Sequence, residues 1–137
     1  MEAAGRLHHV ELRVPDLPRA LASWGWLLSQ LGYQPFQEWG AGFSMSLDGT
    51  YVVFELAKGA HDRRVPGLSH LAFHAGTPRN VDALVASAPD HGWHELYADR
   101  FPHAGSDDSY AAFFENDDRF KVELVAEGAY RAQLPDR

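Results

Sequence analysis

The chain has 137 residues, a length that suits one domain with a real core; at 45% hydrophobic and 23% charged it is a globular rather than a disordered sequence. A formal net charge of −7 argues against non-specific nucleic-acid binding, which needs a basic face, and the absence of cysteine excludes disulfides and thiolate-held zinc. The longest apolar run, near Trp24 to Leu28, is too short to span a bilayer, and Met1 to Arg6 lack the apolar core of a secretory leader, so no membrane partner and a soluble cytoplasmic location are expected.

Leu7 to Val14 alternate as a strand, with Val10, Leu12 and Val14 on a core face and His9, Glu11 and Arg13 on the other. Pro15 ends it, Asp16 is placed to cap a helix, and Pro18 falls in the first turn, where a missing N–H costs little. Leu17, Ala20, Leu21, Trp24, Leu28 and Leu31 mark the apolar stripe, and Gly32 closes the helix. Gly25 inside it costs about 1 kcal/mol against alanine, which implies a close packing contact. Tyr33 to Trp39 and Gly42 to Leu47 read as strands, Asp48-Gly49 as a hairpin turn, and Tyr51 to Ala57 as a fourth strand with Tyr51, Val53 and Glu55 opposite its core face.

Lys58 to Gly67 read as a linker, and the plan then repeats. Leu68 to Ala75 form a strand in which His70 aligns with His9. Thr77 caps a helix with Pro78 at its first position, and Val81, Leu84, Val85 and Ala88 give the stripe before Pro89 and Gly92. Gly32 follows His9 by 23 residues and Gly92 follows His70 by 22. Trp93 to Ala98, Tyr110 to Glu115 and Arg119 to Ala126 are the remaining strands, with a long loop from Asp99 to Ser109. Each half ends in Glu-Leu, at Glu55-Leu56 and Glu123-Leu124. The expectation is an α+β chain of two tandem βαβββ modules, about residues 7–57 and 68–126, forming a curved, cleft-enclosing mixed sheet with helices outside. Residues 127–137 are expected to be a poorly ordered tail.

By strand parity, His9, His70, Glu55 and Glu123 all lie opposite the core faces. If the modules pack as pseudo-twofold mates, two imidazoles and two carboxylates meet in one cleft, a donor set for Ni²⁺, Co²⁺, Mn²⁺, Fe²⁺ or Zn²⁺ with open positions.

The text His9-Val10-Glu11-Leu12-Arg13-Val14-Pro15-Asp16-Leu17, then Leu28 to Leu31 with Gly32-Tyr33, then His70-Leu71-Ala72-Phe73, Tyr110 to Asp118 and Lys121-Val122-Glu123-Leu124-Val125, resembles the vicinal-oxygen-chelate superfamily. That superfamily includes glyoxalase I, extradiol dioxygenases and bleomycin-resistance proteins. Carried over residue by residue, the resemblance implies metal ligands at His9, Glu55, His70 and Glu123. It also implies a lyase or isomerase in which the metal holds two substrate oxygens and stabilises an enediolate while Glu123 moves a proton. The alternative is an antibiotic-resistance type of protein that sequesters an aromatic ligand without metal, for which four tryptophans supply stacking surface. A homodimer is expected from the resemblance. The family's usual Asp-Pro-Asp-Gly turn is here Asn116-Asp117-Asp118-Arg119.

Cleft candidates are Glu11, Arg13, Val53 and His74 by parity, Trp39 and Trp93 on strands, Arg100 and His103 in the long loop, and Tyr110. The plainer alternatives are that both histidines line a cavity with satisfied hydrogen bonds, that Glu55 is a solvated strand residue, that Trp24 and Trp26 belong to the core or a dimer interface, and that Arg63 and Arg64 are solvated linker charges. The long loop is either a surface loop or a lid.

Overall fold

Alternation builds the first sheet as expected. In the computed structural model, which describes residues 7–59 and 68–127, β1 (His9–Val14) pairs in parallel with β4 (Thr50–Leu56). β3 (Gly42–Leu47) runs antiparallel between β4 and the edge strand β2 (Gln34–Trp39), giving the order β1-β4-β3-β2. Asp16 caps the helical run, accepting from the Arg19 amide at 2.8 Å, and Pro18 sits in the first turn. The run is α1 (Leu17–Ala20), a π segment (Leu21–Gly25) and α2 (Trp26–Gln30). A Cβ on Gly25 would lie 3.1 Å from Leu21 Cδ1, the end of an exposed side chain one turn earlier on the same helical run. Beneath it Trp24 and Leu28 are fully buried, and the Trp24 ring lies 5.2 Å from Phe54, on which Phe43 stacks. Asp48 (φ 50°) and Gly49 (φ 88°) are both left-handed, the geometry a two-residue hairpin turn requires.

The second sheet repeats the topology. β5 (Leu71–His74) pairs in parallel with β8 (Lys121–Val125), followed by β7 (Ala111–Asn116) and β6 (Trp93–Leu96), in the order β5-β8-β7-β6. Thr77 caps α3 (Pro78–Ser87) through the Asn80 amide, a 3₁₀ turn at Ala88–His91 accommodates Pro89, and Gly92 (φ 84°) ends it. Val81, Trp93, Phe114, Val122 and Leu124 form the buried layer. β5 is shorter than the sequence predicts, so His70 immediately precedes it. The loop after β6 holds a 3₁₀ turn at Ala98–Arg100 and a bridge between His103 and Ala111.

The chain divides into two compact units between His61 and Asp62, inside the predicted linker. Most of that linker, with Arg63 and Arg64, lies outside the described residues, as do Met1 to Arg6 and the tail from residue 128, so the expectation of a poorly ordered tail falls there. Among the described residues no helix is long and apolar enough to cross a membrane.

Candidate functional site

In the second unit the parallel register sets Ala72 opposite Glu123, and the antiparallel register sets Phe113 on Glu123's other side. Val122 and Leu124 fill the core, so Glu123 projects from the opposite face. Its side chain is nonetheless only 9% exposed, and Oε1 lies 3.3 Å from His70 Nε2. Ser69 Oγ meets His70 Nδ1 at 3.1 Å, so Nε2 is the nitrogen turned to the carboxylate. A buried carboxylate is costly without such partners. Two donors bound to one ion at about 2.0–2.1 Å stand about 3.0–3.4 Å apart in octahedral or tetrahedral geometry, so the pair is already spaced as two ligands of one divalent ion.

The same unit gathers beside this pair Phe113, Tyr97 and Lys121, which strand parity did not single out, and Arg100, a predicted cleft candidate. The Phe113 ring is 5.9 Å from His70 and 5.4 Å from Tyr97, edge-on to both. Lys121 Nζ donates to the Tyr97 hydroxyl at 3.1 Å, and the Arg100 guanidinium lies 4.8 Å over the Tyr97 ring. Parity alone places Lys121 beside Glu123, two residues apart on one strand face. His74 shares that face, one end further along β5, opposite Val125.

The first unit is less complete. His9 lies opposite Tyr51 and stacks on its ring at 4.8 Å, while its Nδ1 meets His8 Nδ1 at 3.0 Å. Glu11 is opposite Val53 and Arg13 opposite Glu55. Aligned by register, the first-unit counterpart of Glu123 is Val53 and not Glu55, which corrects the pairing of the two Glu-Leu dipeptides. Glu55 sits four residues along the strand from the level of His9. At about 3.3 Å per residue that is roughly 13 Å, beyond the reach of one ion held by both. Within each unit taken alone, among the described residues, no three His, Asp or Glu side chains converge as a metal cage.

Two cleft candidates belong to the helix side instead. Trp93 is 1% exposed in the layer with Phe114 and Val122, and the Tyr110 hydroxyl donates to Asp82 on α3. That bond, then burial and the Asp82 charge, raises the Tyr110 phenol above its ordinary value. His103 is held within its loop by Ser109 O, 2.7 Å from Nδ1. Trp39 is 40% exposed and lies across Gly42. Between the helical run and β2–β3 runs a groove of about 850 Å³, walled by Leu17, Leu21, Trp26, Phe36, Trp39 and Phe43 among others.

Residues 8–113 match the family model described as "Glyoxalase/Bleomycin resistance protein/Dioxygenase superfamily". The chain is 45% identical over 126 residues to the uncharacterized protein YqjT of Bacillus subtilis (strain 168), covering 88% of this chain and 98% of that one. A solved structure of a candidate glyoxalase from Bacillus halodurans is 42% identical with a TM-score of 0.82, covering 90% of this chain and 96% of the other. A glyoxalase/bleomycin resistance protein from Albidiferax ferrireducens T118 shares the fold at 21% identity and a TM-score of 0.69, covering 88% and 98%.

Proposed function

Since the chain belongs to the glyoxalase/bleomycin resistance protein/dioxygenase superfamily, we propose that it is a divalent-metal-dependent lyase or isomerase acting on a small oxygenated molecule, centred on His70 and Glu123. The observation that carries this reading is a nearly buried carboxylate spaced from an imidazole as two ligands of one ion would be. An imidazole with a carboxylate suits Fe²⁺, Mn²⁺, Co²⁺, Ni²⁺ or Zn²⁺. A bound ion there would supply Lewis-acid polarisation of substrate oxygens. Glu123 would hold and return the proton, and Phe113 would limit water on one side of the pair. A homodimer belongs to the same proposal, and sedimentation showing only monomer at micromolar concentration would remove it.

Elemental analysis and metal titration followed by calorimetry test the centre. About one divalent ion per chain is expected, lost in His70→Ala and Glu123→Gln with the far-UV spectrum retained. Full metal binding in both variants would rule the assignment out. The groove beneath Trp26 and Trp39 favours the second reading, a binding protein that sequesters a flat aromatic compound. That reading expects tryptophan quenching by such compounds in the metal-free protein, abolished in Trp39→Ala.

A further inference from the structure

Tyr97 adopts φ 59° and ψ 35°, a left-handed conformation that is uncommon for a bulky residue and clusters at functional sites. The turn that holds it there brings its ring edge-on to Phe113 and places it beneath two cations. The Arg100 guanidinium is 4.8 Å from the ring centroid, and Lys121 Nζ is 5.4 Å from it while donating to the hydroxyl. Lys121 is also 5.9 Å from the Phe113 ring. Among the described residues no carboxylate forms an ion pair with either cation, although the protein carries a net charge of −7. Glu115, across the strand from Lys121, pairs with Arg119 instead, at 2.8 Å. A ring that only needed packing has no use for two like charges gathered on it. An anion bridging them would relieve their repulsion and gain charge-assisted hydrogen bonds from both, with the Tyr97 hydroxyl as a further polar contact. The Lys121 and Glu123 positions are two residues apart on one strand face, about 7 Å, so a short molecule spans both.

We infer that Arg100, Lys121 and Tyr97 form an anion subsite beside the His70–Glu123 pair, and that the substrate class is a small carboxylic acid bearing a keto or hydroxyl oxygen within a few bonds of the carboxylate. Phe113 accommodates an apolar or aryl arm. The inference rests on the proposed centre for the role of the second oxygen, while the subsite can be tested separately.

The probes are phenylpyruvate and its methyl ester, titrated into the full-length ¹⁵N-labelled protein with and without Zn²⁺. The acid is expected to shift the amides of Tyr97, Arg100 and Lys121 and to bind about ten-fold or more tightly than the ester. Lys121→Gln and Arg100→Gln should each remove most of that preference, lowering acid affinity far more than ester affinity. Tyr97→Phe keeps the ring and should lower acid affinity by a smaller factor. Equal affinity for acid and ester, no binding of the acid, or a preference intact in both cation variants would overturn the subsite. An acid preference that survives in His70→Ala together with undiminished metal binding there would overturn the metal centre and leave the subsite standing.

Discussion

The Tyr110 hydroxyl is fixed to Asp82, and the raised phenol that results has a consequence for alkaline stability. In the unfolded chain the phenol ionises near its ordinary value of 10.0, whereas the folded state keeps its proton to higher pH. The contribution is therefore whole below pH 10 and is lost as pH rises through the folded value. Tyr33, raised by burial, acts with the same sign. Tyr110→Phe should cost less than about 1 kcal/mol near neutrality, because the bond is solvent-screened, and should flatten the alkaline loss without removing the Tyr33 part. Urea midpoints followed from neutral pH into the tyrosine range test this; parallel curves for both proteins would remove Tyr110 from the account. Residue by residue, what parity could say it said well: His9, Glu11, Arg13, Val53, His74 and Glu123 all stand opposite the core faces. It could not say that Trp93, placed one residue before His94 on β6, falls on the buried side, because the start of β6 fixes which alternate positions face α3. Nor does it show that a tyrosine would be held left-handed to receive two cations, since no residue-type preference announces that conformation at Tyr97.

At the scale of elements, two close approaches carry measurable stability. A Cβ on Gly42 would collide with the Phe54 carbonyl oxygen and lie 2.7 Å from a Trp39 ring carbon. Backbone cannot yield as a side chain does, so Gly42→Ala should separate β3 from β4 locally, at about 1–3 kcal/mol, and shift Trp39 emission. Unchanged emission and an unchanged denaturation midpoint would show that the strand pair tolerates the methyl. In the second unit the turn before β8 is closed by Asn116, whose Oδ1 accepts from the amides of Asp118 at 3.1 Å and Phe120 at 3.0 Å. Arg119 then takes φ 68° at the position where the family's turn has glycine. Asn116→Ala removes both of these buried bonds and should lower stability by about 1–3 kcal/mol, read as a fall in the urea midpoint. The strands and caps were legible because alternation, Asp16, Thr77 and the glycines act locally. The π segment at Leu21–Gly25 was not, since an apolar stripe tolerates one inserted residue without changing its appearance over a single turn.

Over the whole chain, the repeat was legible because each unit solves the same problem: a parallel outer pair, an antiparallel return and a helix over the apolar face. Of the four residues expected as ligands, His70 and Glu123 lie in contact within the second unit. Sequence aligned Glu55 with Glu123 through their shared Glu-Leu, but backbone register, set by β1 against β4, gives that place to Val53. The metal proposal thus concentrates in the second unit, and so does its thermodynamic signature. An ion that binds the folded state at a hundred times its dissociation constant stabilises it by about 2.7 kcal/mol. For a chain of this size that is a rise in Tm of roughly 5–10 °C, reversed by chelator. Trp93 is the second unit's tryptophan, while Trp24, Trp26 and Trp39 lie in the first, so emission from a Trp93-only variant reports the unit that holds His70 and Glu123. The expected result is an ion-dependent rise in that signal's transition, absent in Glu123→Gln. A rise in the parent protein that Glu123→Gln leaves intact would move the ion away from the His70–Glu123 pair altogether.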